Sequence, residues 1–250
     1  IEARAQDVAG NTTEIVTRSV KLDRTAPDAP PSVWVEPSGW SKTGQFTVHW
    51  VNPSDLSGLG GVYLKLGSPP AFPADGIYYD GVQSSLMVNA AQEGAIPAYI
   101  WLVDKACNSN YQQWAMATLR YDVTPPTTTY AALGSTGLSG WYVSPVTVLL
   151  NCSDAHSGCA DGGTRYRLGD GDWVTGASFS IASEGTVSFT YHSVDVAGNA
   201  EVIRTATIRV DLSPPSSYAY SDSSSPSPSF TVRWDGSDAT SGIAYFDVQY

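Results

Sequence analysis

The sequence predicts an all-β chain of tandem sandwich domains. Three observations carry this: two motifs that repeat in a fixed order, strand-length runs of alternating apolar and polar residues, and a composition rich in turn formers. Gly at 23 and Pro at 16 among 250 residues supply the punctuation for many reversals and few long helices. A hydrophobic fraction of 42% suffices for packed cores.

The first motif, Asp7-Val8-Ala9-Gly10-Asn11, recurs as Asp195-Val196-Ala197-Gly198-Asn199, with the variant Asp104-Lys105-Ala106-Cys107-Asn108 between them. Each copy is followed by another Asp and a proline-bearing joint: Asp23 to Pro27, Asp122 to Pro126 and Asp211 to Pro215. The second motif begins with Phe46-Thr47-Val48-His49-Trp50, Val146-Thr147-Val148-Leu149-Leu150 or Phe230-Thr231-Val232-Arg233-Trp234. It runs into a Ser-Asp turn ending in Ser-Gly, at Ser54–Gly58, Ser153–Gly158 and Ser237–Gly242. The alternation predicts strands with one buried face, which places Trp50 and Trp234 in cores. Asp and Ser in the turn bond nearby backbone N–H groups, and Gly tolerates positive φ. Around Asp195, apolar alternation on both sides of an Ala-Gly-Asn reversal predicts a β-hairpin. The proline pair that follows offers no N–H and ends ladder pairing, so it makes a joint between domains.

A repeat of roughly 90–100 residues built from short strands fits an immunoglobulin-like sandwich. Complete domains are expected at 28–126 and 127–215. Residues 1–27 read as the last hairpin of a preceding domain. Residues 216–250 read as the first strands of a following one, including a strand-like run over 244–250. The chain is thus expected to be a window from a longer array.

Taken together, Asp-x-Ala-Gly-Asn, Asp-x-[Ser/Thr]-Pro-Pro and Ser-Asp-x-x-Ser-Gly resemble the tandem Ig-like and fibronectin type III-like repeats of large bacterial surface and secreted proteins. The resemblance covers essentially the whole chain and fits 127–215 best. It implies an extracellular or cell-surface setting, bacterial in origin, and a role as stalk, adhesin or enzyme accessory module.

Several function classes are excluded. The net charge is −11, from 13 basic and 24 acidic residues, and no run of Lys or Arg relieves it. Tracking a nucleic-acid backbone or docking on anionic lipid needs the opposite field. The longest apolar runs, such as Val146–Leu150, are strand-sized, far short of the ~20 residues that span a bilayer, so no membrane insertion is expected in this segment. No nucleophile elbow, phosphate-binding Gly-Lys loop or Cys-His pattern occurs, and the expectation is that the chain is not an enzyme.

Cys152 and Cys159 flank one Ser-Asp turn, and both are missing from the other repeats, which predicts a disulfide. Cys107 replaces the Gly of the other hairpin turns, so a locally different backbone is expected there. The recurrent Asp residues have two readings: they cap turns, or Asp104 with Asp122 and Asp195 with Asp211 help ligate Ca²⁺ at each joint. No other metal or cofactor is expected. Among the aromatics, Trp114 and Trp173 are the candidates for facing a carbohydrate ligand, while Trp40 and Trp141, each near a domain start, are candidates to plug a sandwich end. The expected role is a non-catalytic structural or adhesive array whose partners are copies of itself, other surface proteins or a polysaccharide. The alternative is an accessory, carbohydrate-binding region of a large secreted hydrolase.

Overall fold

Alternation decides which side chains go inside, and it does so twice. The computed structural model describes residues 1–226 and 228–248. The chain divides into two compact units, Ile1–Asp122 and Val123–Tyr250. No α-helix occurs among the described residues.

The first unit opens with an exposed hairpin of β1 (Glu2–Ala3) and β2 (Val16–Thr17), in which Glu2 lies opposite Thr17. Seven strands follow: β3 (Val33–Glu36), β4 (Gln45–Trp50), β5 (Leu59–Leu66), β6 (Ile77–Asp80), β7 (Ser85–Asn89), β8 (Gly94–Asp104) and β9 (Ala115–Tyr121). They form a three-stranded sheet, β3-β4-β7, and a four-stranded sheet, β6-β5-β8-β9. Phe46, Val48 and Trp50 of β4 are buried, and they share one core with Val62, Leu64, Ile96 and Ile100 of the opposite sheet. Burial of each large apolar side chain contributes roughly 1.5–3 kcal/mol.

Strand β8 is buried on both faces. Ile96, Ala98, Ile100 and Leu102 point to the core, while Tyr99, Trp101 and Val103 are buried on the outer side. A roof covers Trp101, and Trp114 packs edge-on against Tyr99 at 4.8 Å. Trp101 stacks on Tyr63 at 5.0 Å, and its Nε1 donates to the Pro73 carbonyl at 3.3 Å. The loop over 67–76 is held down by Asp75, which accepts from Lys65 Nζ at 2.6 Å and Ala71 N at 2.7 Å. These contacts, the Lys65 hydrogen bond foremost, keep the Asp75 carboxyl below its ordinary pKa.

The second unit contains β10 (Thr127–Leu133), β11 (Trp141–Tyr142), β12 (Val146–Ser153), β13 (Arg165–Leu168), β14 (Val174–Thr175), β15 (Ser178–Ile181), β16 (Gly185–His192), β17 (Arg204–Val210), β18 (Ser216–Ser221) and β19 (Val232–Ser237). Sheet β10-β12-β15 faces sheet β11-β17-β16-β13-β14, and β18 pairs separately with β19. The core joins Val146, Val148 and Leu150 to Phe189, Tyr191, Ile208 and Val210. Its polar counterpart is Glu201, buried against β10. Its carboxylate accepts from Thr128 N at 3.0 Å, Ser193 N at 2.8 Å and the Thr128 hydroxyl. Arg204 Nε sits 3.3 Å from the same group.

Strand β19 repeats the pattern of β4 with a different outcome. Trp50 is 2% exposed, but Trp234 is 48% exposed, which corrects its expected place in a core. Among the described residues no second sheet faces β18 and β19, so the alternation has formed the strand without burying its inner face. The run over 244–248 forms no ladder, unlike its counterpart β13, which pairs with β16. Gln249 and Tyr250 lie outside the described residues.

Candidate functional site: an acidic joint

The two repeating motifs meet at one place in the first unit. Asp23 from the joint, Asp55 from the Ser-Asp turn and Asp104 from the hairpin turn each place a carboxylate oxygen within 4.8 Å of the others. Backbone donors fix all three. Ser57 N donates to Asp23 Oδ2 and Asp55 Oδ1, both at 3.0 Å, and Gly58 N adds a 3.0 Å bond to Asp55 Oδ1. Asp104 accepts from Asn108 N and Nδ2, each at 2.7 Å. Asn108 Nδ2 also donates to the Asp23 carbonyl at 3.2 Å. The Thr25 backbone bond, followed by the Ser57 hydrogen bonds, holds the Asp23 carboxyl below the usual range.

The same clasp is rebuilt at the start of 216–248. Ser241 N donates to Asp211 Oδ2 at 3.1 Å and to Asp238 Oδ1 at 2.8 Å. Gly242 N donates to Asp238 at 2.7 Å and is the main reason that carboxyl's pKa is lowered. In the second sandwich, Asp154 Oδ1 accepts from His156 N at 3.0 Å and Gly158 N at 2.7 Å. Asp195 accepts from Asn199 N at 2.8 Å and Nδ2 at 2.7 Å.

The grouping differs from the one expected. Asp104 meets Asp23, in the joint before its domain, and Asp55, in its Ser-Asp turn, and not Asp122. In the β8–β9 hairpin, Gly94 lies opposite Tyr121, so Asp122 follows at the Gly94 end of β8. Asp104 ends the same eleven-residue strand, which at about 3.3 Å per residue puts it ~33 Å away. Asp195 and Asp211 are separated in the same way, because Gly185 pairs with Val210. A hairpin turn and the joint after it are opposite poles of one domain. The signal that could have shown this was the constant company of the Ser-Asp turn with the Asp-x-x-x-Asn turn.

These hydrogen bonds account for the cluster as a set of turn caps. Ca²⁺ takes six to eight oxygen ligands, and here five of the six carboxylate oxygens of Asp23, Asp55 and Asp104 already accept N–H bonds. The expected outcome is a melting temperature that is the same in EDTA and in added calcium. A rise of several degrees with calcium would assign the cluster to an ion.

Cys107 keeps the turn it was expected to change. Its φ is +65°, beside +91° for Gly10 and +89° for Gly198. Its N donates to the Asp104 carbonyl at 3.2 Å, as Gly198 N does to Asp195 at 3.2 Å. The Asp104–Asn108 clasp enforces the left-handed residue, at a cost of roughly 1–2 kcal/mol for a non-glycine. Cys107→Gly removes that strain but frees more backbone entropy in the unfolded chain. A net gain of about 0.5 kcal/mol is expected in urea unfolding, and a loss would show that the side chain is needed.

Cys152 and Cys159 form a disulfide with Cα atoms 6.3 Å apart. It closes the turn carrying Asp154, and Cys159 bridges the backbone of Asp195. Replacing both with serine should cost about 2.5 kcal/mol on the chain-entropy model. An unchanged urea midpoint would contradict that.

The two candidate aromatics lie in separate units. Trp114 is 38% exposed and packs edge-on against Tyr99 at 4.8 Å. Trp173 is half-buried, with the Arg167 guanidinium 5.2 Å over its ring and His192 edge-on at 4.8 Å. Trp141 does not plug a sandwich end. It lies in β11, parallel to β17, with Arg209 over its ring at 5.9 Å.

No family model matches the chain, and no curated protein matches it. Among solved structures, the chain is similar to the fibronectin(III)-like modules of Clostridium thermocellum CbhA, at 12% identity over 72% of this chain and 94% of that one, TM-score 0.33. A 1.5-MDa bacterial ice-binding adhesin gives 14% identity over 77% and 68%, TM-score 0.40. The FN1–FN3 domains of chicken CNTN1 give 12% identity over 83% and 74%, TM-score 0.29.

Proposed function

We propose that this chain is part of a non-catalytic extracellular array of Ig-like domains that serves as a stalk, spacer or adhesive filament. The observation that supports it most is the repeated clasp. Ser57 N joins Asp23 to Asp55, and Ser241 N joins Asp211 to Asp238. A linker pinned to the turn of the domain that follows loses freedom to bend, which is what a spacer requires and a single binding module does not. The sequence carries the same residue set at Asp122, Asp154 and Ser157. The Cys152–Cys159 disulfide favours an oxidising compartment.

Immunogold labelling with antibodies to this chain tests the reading. Gold on the outside of intact source cells is expected. Labelling that requires permeabilised cells would overturn it. The accessory-module reading draws on the Trp173 and Arg167 pair at an open sheet face, and a catalytic domain in the same reading frame would favour it.

A further inference from the structure

The same sheet face has opposite fates in the two sandwiches. In the first it is covered, with Trp101 buried beneath the 67–76 loop and Tyr99 packed against Trp114. In the second it is open, and its composition runs against that of the protein. The five strands β11, β13, β14, β16 and β17 contain four Arg, one His and no Asp or Glu. The stretch 123–250 has only five basic side chains in all, every one an Arg. Ladder partners share a face. Arg165 lies opposite His192, Arg167 opposite Thr190, and Thr186 opposite Arg209, so Arg165, Arg167 and Arg209 share the outer face. Core residues Phe189, Ile208 and Val210 alternate with them on the other side.

Two of these cations lie over aromatic rings. Trp173 backs Arg167 at 5.2 Å and Trp141 backs Arg209 at 5.9 Å. Arg167 Nε donates to Thr190 Oγ1 at 3.0 Å, which leaves its terminal N–H groups for other acceptors. Among the described residues, Arg165, Arg167 and Arg209 form no ion pair. A stacked guanidinium presents its N–H rim as a planar fork, and a carboxylate matches that fork with two bonds. Trp141 and Trp173 lie near opposite edges of a five-stranded sheet that is about 19 Å across at the usual strand spacing. Hydroxyls of Ser188, Thr205 and Thr207 occupy the space between.

We propose that this face binds an anionic polysaccharide, specifically a chain of uronic acids. Charge complementarity selects carboxylates, and spaced, pinned forks between hydroxyl rows suit charges distributed along a sugar chain. This inference supplies a partner for the adhesive reading above, but its test is separate. Failure of the surface labelling would refute the array and leave the binding result standing.

Affinity gel electrophoresis of the full chain in polygalacturonate, dextran sulfate and neutral dextran tests it. Retardation by polygalacturonate that fades with added salt is expected. The triple variant Arg165→Ser, Arg167→Ser, Arg209→Ser should raise the apparent Kd about tenfold or more, with melting checked in parallel. Arg167→Lys with Arg209→Lys keeps the charge and discards the fork, and should also weaken binding. No retardation, equal retardation by neutral dextran, or unchanged binding by a folded triple variant would overturn the proposal. Preference for dextran sulfate or for a DNA oligonucleotide would replace its occupant.

Discussion

Phe189→Ala should destabilise the second sandwich by about 4 kcal/mol. Phe189 is fully buried at the centre of an aromatic cluster, with ring centroids 5.1 Å from Phe179, 5.4 Å from Tyr130 and 5.7 Å from Tyr191. Truncation removes the buried ring and leaves a void that three rigid aromatics on different strands cannot close. The two sandwiches have separate cores, so urea unfolding should show one transition moving and the other standing still. A shift below about 1 kcal/mol would mean that the cluster collapses into the space.

Glu201→Ala should cost about 3 kcal/mol, through a different mechanism. The side chain is 4% exposed and satisfies two buried backbone N–H groups, those of Thr128 and Ser193. Without it those donors lose their acceptor, and Arg204 loses its counter-charge. Glu201→Gln keeps one acceptor oxygen and should recover roughly half of the loss. If alanine and glutamine behave alike, the charge matters and the hydrogen bonds do not. Amide exchange at Thr128 and Ser193 gives an independent reading, since both N–H groups should lose protection in the alanine variant.

How far the sequence foretold this structure varies by element. Phe46, Val48 and Trp50 alternate in the sequence and are buried as written, because a strand's period of two depends only on local pleat. The fold class followed from such strands and from the repeating turns. Glu201 left no trace, since the equivalent position in the first sandwich is Asn110 and no repeat marks it as special. The burial of Trp101 depends on a loop that folds back over it, and that of Tyr99 on Trp114, non-local events that alternation does not encode. The acidic joint was legible in its parts but not in its grouping, which requires tracing strand direction from one pole of the sandwich to the other. The Arg-bearing face escaped notice for a related reason: its cations are far apart in sequence and become neighbours only when β13, β16 and β17 pair. At Cys107 the expectation failed because the Asp104–Asn108 clasp outweighs the residue's own backbone preference.

The clasp also imposes an order in time. Asp23 precedes its domain, yet the amide that closes over its carbonyl belongs to Asn108, 85 positions later. During synthesis, a joint of this kind is complete only when nearly all of the domain downstream has emerged and folded. Rigidity in such a chain would therefore advance one whole domain behind the ribosome, leaving each newest joint slack while its domain is still being made.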